Sequence, residues 1–253
     1  MTFLGAALAL VVGFVLGLLG GGGSVLLVPI FIYALHIPVK PAIAMSLCVV
    51  GLVAFIGFLS HARQGTVATR VALVFGPFAV ASAYLGARIA RYVSEDVQLV
   101  MFAIFGLVGS AMMFRGAMLM KNVPEMEEYE FHVDSKNLPR IAIDATAIGL
   151  LTGLIGVGGG FLIVPALVFV TKLPMRLAIG TSLLVITMNA LAGFAGYVGT
   201  VPIDWQLVGW FTVLAAIGSV IGTLTSKRIP QRRLKQVFGV LLIGVSLYVL
   251  YRR

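Results

Sequence analysis

Apolar residues run along this chain in ten blocks: 3–19, 24–35, 41–60, 71–90, 97–114, 141–155, 161–170, 177–197, 205–225 and 234–250. An α-helix needs about 20 such residues to cross roughly 30 Å of hydrocarbon, and most of the blocks suffice. Two do not. At about 1.5 Å per residue, block 24–35 rises only about 18 Å as a helix, and block 161–170 is shorter still. Both follow glycine clusters, where the helix pattern stops. The pattern predicts an all-α integral membrane protein of about 8–10 transmembrane or half-membrane helices, two of them broken at glycines.

The blocks repeat. Gly17 to Pro29 reads GLLGGGGSVLLVP, and Gly153 to Pro165 reads GLIGVGGGFLIVP, with eight of thirteen positions identical. At the same offset Pro38 matches Pro174, Lys40 matches Arg176, Ser46 and Leu47 match Ser182 and Leu183, Gly57 matches Gly193, Gly86 matches Gly222, and Phe102 matches Phe238. Two homologous membrane repeats, 1–116 and 139–253, are expected around a polar linker, 117–138. Glu125, Glu127, Glu128 and Glu130 make that linker acidic, which reads as a solvated connection.

Basic residues set the expected orientation, because Lys and Arg collect in cytoplasmic loops. If each glycine-flanking pair acts as two crossings or as a re-entrant pair, thirteen Lys and Arg residues fall on one face and five on the other. If each pair is one broken crossing, the split is ten against eight. The first arrangement carries the clearer bias. It gives an odd number of passes per half and so inverts the second repeat, a recurrent plan of secondary transporters. Both termini then face away from the cytoplasm.

Composition agrees with the membrane reading: 60% of residues are apolar and 11% charged, against about a quarter charged in soluble domains. The net charge of +9 is scattered between apolar blocks and not gathered on one face, so nucleic acid is not an expected partner. The single cysteine, Cys48, lies in an apolar block and reads as a packing residue. Block 3–19 has no basic n-region or small-residue cleavage site and is kept in the mature chain.

The candidate chemistry lies at the glycines. Helix N-termini offer unpaired N–H groups and a positive dipole end, which bind an anion without a charged side chain. Gly20, Gly21, Gly22, Gly23 and Ser24 occupy such a position in the first half, and Gly156, Gly158, Gly159 and Gly160 in the second. Two pseudo-symmetric breaks are expected to bring these ends together near the membrane midplane. The bland alternative is close helix packing, for which small residues serve throughout membrane bundles. Ser46, Thr181, Ser182 and Asn189 lie on the block after each break, along with Cys48 and Thr187, and their polar groups are candidates to complete an anion shell. Serine and threonine also bond to their own helix backbone.

Other polar residues carry less. His61, at a block end, reads as interfacial, as do Asp144 and Asp204; Trp205, Trp210 and Tyr197 suit an interfacial aromatic belt. Three histidines, one cysteine and no H-x-x-x-H pair argue against a metal centre or an enzyme, and no cofactor is expected. No Walker motif is present.

The doubled glycine motif, each copy followed by a proline-basic turn and then by AMSL or GTSL, resembles the sulfite exporter TauE/SafE family of permeases, also known as toluene-sulfonate uptake permeases. The resemblance covers nearly the full chain. It implies a multi-pass plasma- or inner-membrane carrier of small sulfur-containing anions such as sulfite or sulfonates, with a proton or sodium ion as a candidate coupling ion. It places the substrate motif on Gly20 to Ser24, Gly156 to Gly160, Ser46, Thr181 and Ser182. The halves differ at Ala44 and Met45, where the second has Gly180 and Thr181. An anion channel and a non-transporting scaffold are the rival readings.

Overall fold

The protein is described here from a computed structural model covering residues 3–119, 138–155, 160–170, 173–226 and 228–252. Within these residues the chain is helical: α1 (Phe3–Leu19), α2 (Ser24–Pro29) with a π-helical continuation (Ile30–Ala34), α3 (Val39–Ala62), α4 (Thr69–Ala90), α5 (Glu95–Leu119), α6 (Leu138–Ile155), α7 (Gly160–Val170), α8 (Met175–Tyr197), α9 (Trp205–Ser226) and α10 (Gln231–Arg252). Six of them, α3, α4, α5, α8, α9 and α10, are long and apolar enough to cross a membrane.

Proline marks equivalent points in the two halves. Pro38 and Pro174 hold extended ψ angles of 149° and 143° just before α3 and α8, and their carbonyls accept from Ala42 and Ala178. Inside the short element, Pro29 has no N–H to continue the α ladder, and the next turn widens to π geometry.

The core sits on α3 and α8. In their membrane-length windows 72% and 67% of residues are buried, against at most 44% in the other four long helices. These two central helices cross antiparallel, with Gly57 against Leu183, Gly51 against Ala190 and Leu191, and Leu47 against Gly193. Helices α5 and α10 are also antiparallel: the Ser110 hydroxyl donates to the Gly239 carbonyl at 2.9 Å, and Gly106 faces Ser246.

Parallel pairs flank the centre. On α1, Gly13 and Gly17 seat the backbone of Ala215 and Ser219, while Gly218 and Gly222 of α9 seat the backbone of Leu10 and Phe14. On α6, Gly149 and Gly153 take the same positions against Ala79 and Ala83 of α4. Small residues four apart let the backbones approach to contact. Exchanging α1 to α5 for α6 to α10 therefore maps the packing onto itself.

The glycine break between α1 and α2 folds the chain back. A methyl group at Gly23 would overlap the Val12 carbonyl and the Leu16 amide, and Leu26, Pro29 and Tyr33 share a cavity wall with Leu8. So α2 retraces α1 as a re-entrant pair and does not continue it. Trp205 and Trp210 are exposed on the outer surface at 61% and 56%, whereas Tyr197 is buried at 2% and does not join an aromatic belt.

Candidate functional site

The site builds from the first break outward. Gly20 ends α1 in the left-handed region at φ 68°, with its N–H on the Leu16 carbonyl at 2.8 Å; glycine is the residue that takes this position without strain. A methyl group there would lie 2.6 Å from the Ile179 Cα of α8. Gly20 and Gly23 thus both sit where backbones pack closely. Gly22 is different: a methyl group there would meet only side-chain atoms, Leu19 Cδ1 at 3.0 Å and Phe238 Cδ2 at 3.2 Å. Among the described residues no carbonyl accepts from the N–H groups of Gly21, Gly22 or Gly23, and all five residues from Gly20 to Ser24 are buried. Among the described residues, then, these backbone donors lie inside the protein with no carbonyl on them.

The hydroxyls are already occupied. Ser24 donates to the Gly21 carbonyl at 2.6 Å, Ser46 to the Ile43 carbonyl at 2.8 Å, and Thr187 to the Leu183 carbonyl at 2.7 Å. Ser182 Oγ lies 2.6 Å from the Gly20 carbonyl and 2.7 Å from the Ile179 carbonyl, which ties α8 to the first break. Thr181 Oγ1 accepts the Ala68 N–H at 2.9 Å. In this conformation these groups hold backbone to backbone, as serine and threonine do in helices.

Asn189 is the exception. It is fully buried on α8, and neither Nδ2 nor Oδ1 has a hydrogen-bond partner. Burying an amide in this state costs about 1–3 kcal/mol. Ser182, Asn189 and Gly193 fall within about 40° of one another around the helix at about 3.6 residues per turn. On this stripe Ser182 touches Gly20, and a methyl group at Gly193 would lie 3.9 Å from the Gly153 Cα of α6. The two touching points are separated by about 16 Å along α8, so the ends of α1 and α6 lie at different depths and do not meet at one midplane level. Asn189 stands between those levels. Gly156, Gly158 and Gly159 lie outside the described residues, and Gly160 begins α7.

Gln98, which the sequence reading missed, and Tyr197, which it placed in an aromatic belt, secure the end of α6. The Gln98 Nε2 of α5 donates to the Leu154 carbonyl at 2.8 Å, and the Tyr197 hydroxyl of α8 reaches the Gly153 carbonyl at 3.3 Å. Gln98, 1% exposed, is a lone amide in an apolar helix. That isolation was the available signal.

The loops over the two central helices differ. His61, 3% exposed in the last turn of α3, holds Thr66 through Nδ1 at 2.8 Å, and the Thr66 carbonyl occupies the place of a side chain at Gly180. With the Ala68 to Thr181 bond, this closes the α3–α4 loop onto α8. At the equivalent place on α3, Ala44 and Met45 replace Gly180 and Thr181, and the α8–α9 loop stands away. A cavity of about 540 Å³ remains there, lined by Pro41, Met45, Pro202, Ile203 and Asp204 among others. Asp204 accepts the Leu207 N–H at 2.9 Å and so caps α9.

A buried helical core, two exchange-related sets of helices and six helices long and apolar enough to cross a membrane define a multi-pass membrane protein. A family model described as "Sulfite exporter TauE/SafE" matches residues 5–249, and this chain belongs to that family. It is 34% identical over 249 residues, 95% of this chain and 92% of the other, to a "Probable membrane transporter protein" of Xylella fastidiosa (strain 9a5c). It is 26% identical to "Probable membrane transporter protein YdhB" of Bacillus subtilis, covering 88% of this chain and 89% of that one. It is 24% identical to "Probable membrane transporter protein MJ0441" of Methanocaldococcus jannaschii, covering 96% and 94%. No solved structure matches. The family and these relatives make the protein a membrane transporter.

Proposed function

We propose that this transporter carries small sulfur-containing anions, such as sulfite or sulfonates, by alternating access between two inverted repeats, 1–116 and 139–253, joined by the linker 117–138. The family name supplies the substrate class. The buried, unpartnered amide of Asn189, on the α8 stripe that touches Gly20, is the single observation that carries the site. The N–H groups of Gly21 to Gly23 support it, because donors fixed in the backbone need no reorganisation to receive an oxyanion. Gly156, Gly158, Gly159 and Gly160 are proposed to act equivalently in the second half, with Ser46, Thr181 and Ser182 holding the surrounding backbone.

Inversion is supported by the antiparallel crossing of each counterpart pair, α3 with α8 and α5 with α10. An axis that relates two antiparallel helices lies across them, hence in the plane of the membrane. Alternating access is supported by the unequal loops: one end of the central pair is closed by the Thr66 to Gly180 contact, while the other keeps a cavity beside Met45. An ion gradient, of protons or sodium, is the proposed drive.

The test is counterflow in proteoliposomes. Labelled sulfite should enter vesicles preloaded with unlabelled sulfite, saturably and faster than vesicles loaded with chloride. Non-saturating electrogenic flux would indicate a channel, and absence of flux from folded protein a scaffold.

A further inference from the structure

Resting on this reading of function, we propose that Asn189 selects a singly charged oxyanion that carries its own hydrogen-bond donor beside the charged group.

An amide offers two unlike groups: Nδ2 donates and Oδ1 accepts. Both are unpartnered in Asn189, in a residue with no exposed surface. A bare oxyanion satisfies only Nδ2 and leaves Oδ1 buried and unpaired. A ligand that satisfies both must place an acceptor oxygen and an O–H or N–H side by side, because the two amide groups share one carbon. Hydrogen sulfite in its hydroxyl form has this arrangement, and so does a sulfonate bearing a hydroxyl or amine on a nearby carbon. The neighbouring hydroxyls do not relieve the demand, since those of Ser182 and Thr187 are engaged with backbone carbonyls.

Charge narrows the ligand further. Among the described residues the buried residues able to carry positive charge are His61 and Lys235, and Arg176, in the first turn of α8 and on the far side of that helix from Asn189, has its Nε buried. His61 ends α3 against Thr66, and Lys235 lies in the early turns of α10; neither is on the stripe of Ser182, Asn189 and Gly193. The cost of transferring an ion from water grows with the square of its charge. A neutral amide between packed helices therefore suits a monoanion and not a dianion. In the first half Val53 occupies the position equivalent to Asn189, so one repeat alone supplies this recognition.

The experiment compares ligands of equal charge and nearly equal shape, 2-hydroxyethanesulfonate and propane-1-sulfonate, as competitors of labelled sulfite uptake in proteoliposomes. The wild-type protein is expected to prefer the hydroxyl compound at least tenfold, with sulfate competing weakly. Asn189→Leu should abolish the preference and reduce sulfite flux at least tenfold while thermal stability in detergent is kept or raised, because the change removes an unsatisfied buried amide. Asn189→Gln, which keeps both groups, should retain part of the preference. Equal competition by the two sulfonates in the wild type, or an Asn189→Leu protein that transports and discriminates as the wild type does, overturns this proposal alone. No flux of any sulfur anion from folded wild-type protein overturns the proposed function and this proposal with it.

Discussion

At Gly23 a single missing side chain decides whether α2 can lie against α1. Its Cα hydrogen faces the Val12 carbonyl and the Leu16 amide, backbone atoms that no rotamer change can move. Gly23→Ala should cost roughly 1–3 kcal/mol, the usual range for overpacking a close contact, and should lower the thermal midpoint in detergent. Gly22→Ala meets only the ends of Leu19 and Phe238 and should be much milder; a larger loss at Gly22 than at Gly23 would contradict this division. The sequence showed that both glycines mattered but not that they differ. The motif lists residue types, whereas the difference comes from which neighbour faces each one after α1 and α2 fold together. Asn189 was legible as a costly polar residue in an apolar block. Tyr197 and Gln98 were not, because their partners, the Gly153 and Leu154 carbonyls, belong to a helix distant in sequence.

Helix positions were legible to within a few residues, since membrane hydropathy and the proline and glycine breaks fix them locally: block 3–19 is α1, block 177–197 ends with α8, and α5 runs five residues past block 97–114. The direction of α2 after its break was not, because a returning and a continuing segment have the same hydropathy. Nor did hydropathy reveal why GTSL in one half faces AMSL in the other. The structure supplies a physical reason: Gly180 leaves room for the Thr66 carbonyl and Thr181 accepts the Ala68 N–H, whereas Ala44 and Met45 provide neither space nor acceptor. Thr181→Val keeps the shape and strands that N–H, which costs about 1–3 kcal/mol when buried. Cysteines placed at Val67 should then react faster with a membrane-impermeant thiol reagent in Thr181→Val than in the otherwise unchanged protein, with Cys48 replaced by alanine in both. Unchanged labelling would mean that the Thr181 bond does not hold this loop closed.

For the molecule as a whole, the direction of each helix decides which face each loop reaches. The re-entrant pair returns the chain to the face from which α1 starts, α3 then crosses, and the antiparallel and parallel pairings keep every later helix in step. This is the arrangement for which the loop-by-loop count along the sequence puts thirteen basic residues on one face and five on the other. Arg63, Arg70, Arg228, Arg232 and Arg233 lie on the richer face, to which the ends of α5 and α6 that flank the acidic linker also point. Positive residues are retained in the cytoplasm, so the linker should be cytoplasmic and both termini on the far side. Reporter fusions test this directly. Alkaline phosphatase joined after Arg253 should be active and a fluorescent protein there dark, while the same reporters fused within 121–137 should give the reverse. If both sites report the same side, the number of passes in the second half is even, and the two repeats do not run in opposite directions through the membrane. If the two sites exchange sides, the helix order stands, but the basic residues do not set the orientation, and the closed end of the α3–α8 pair at Thr66 and Gly180 faces outward instead of toward the cytoplasm.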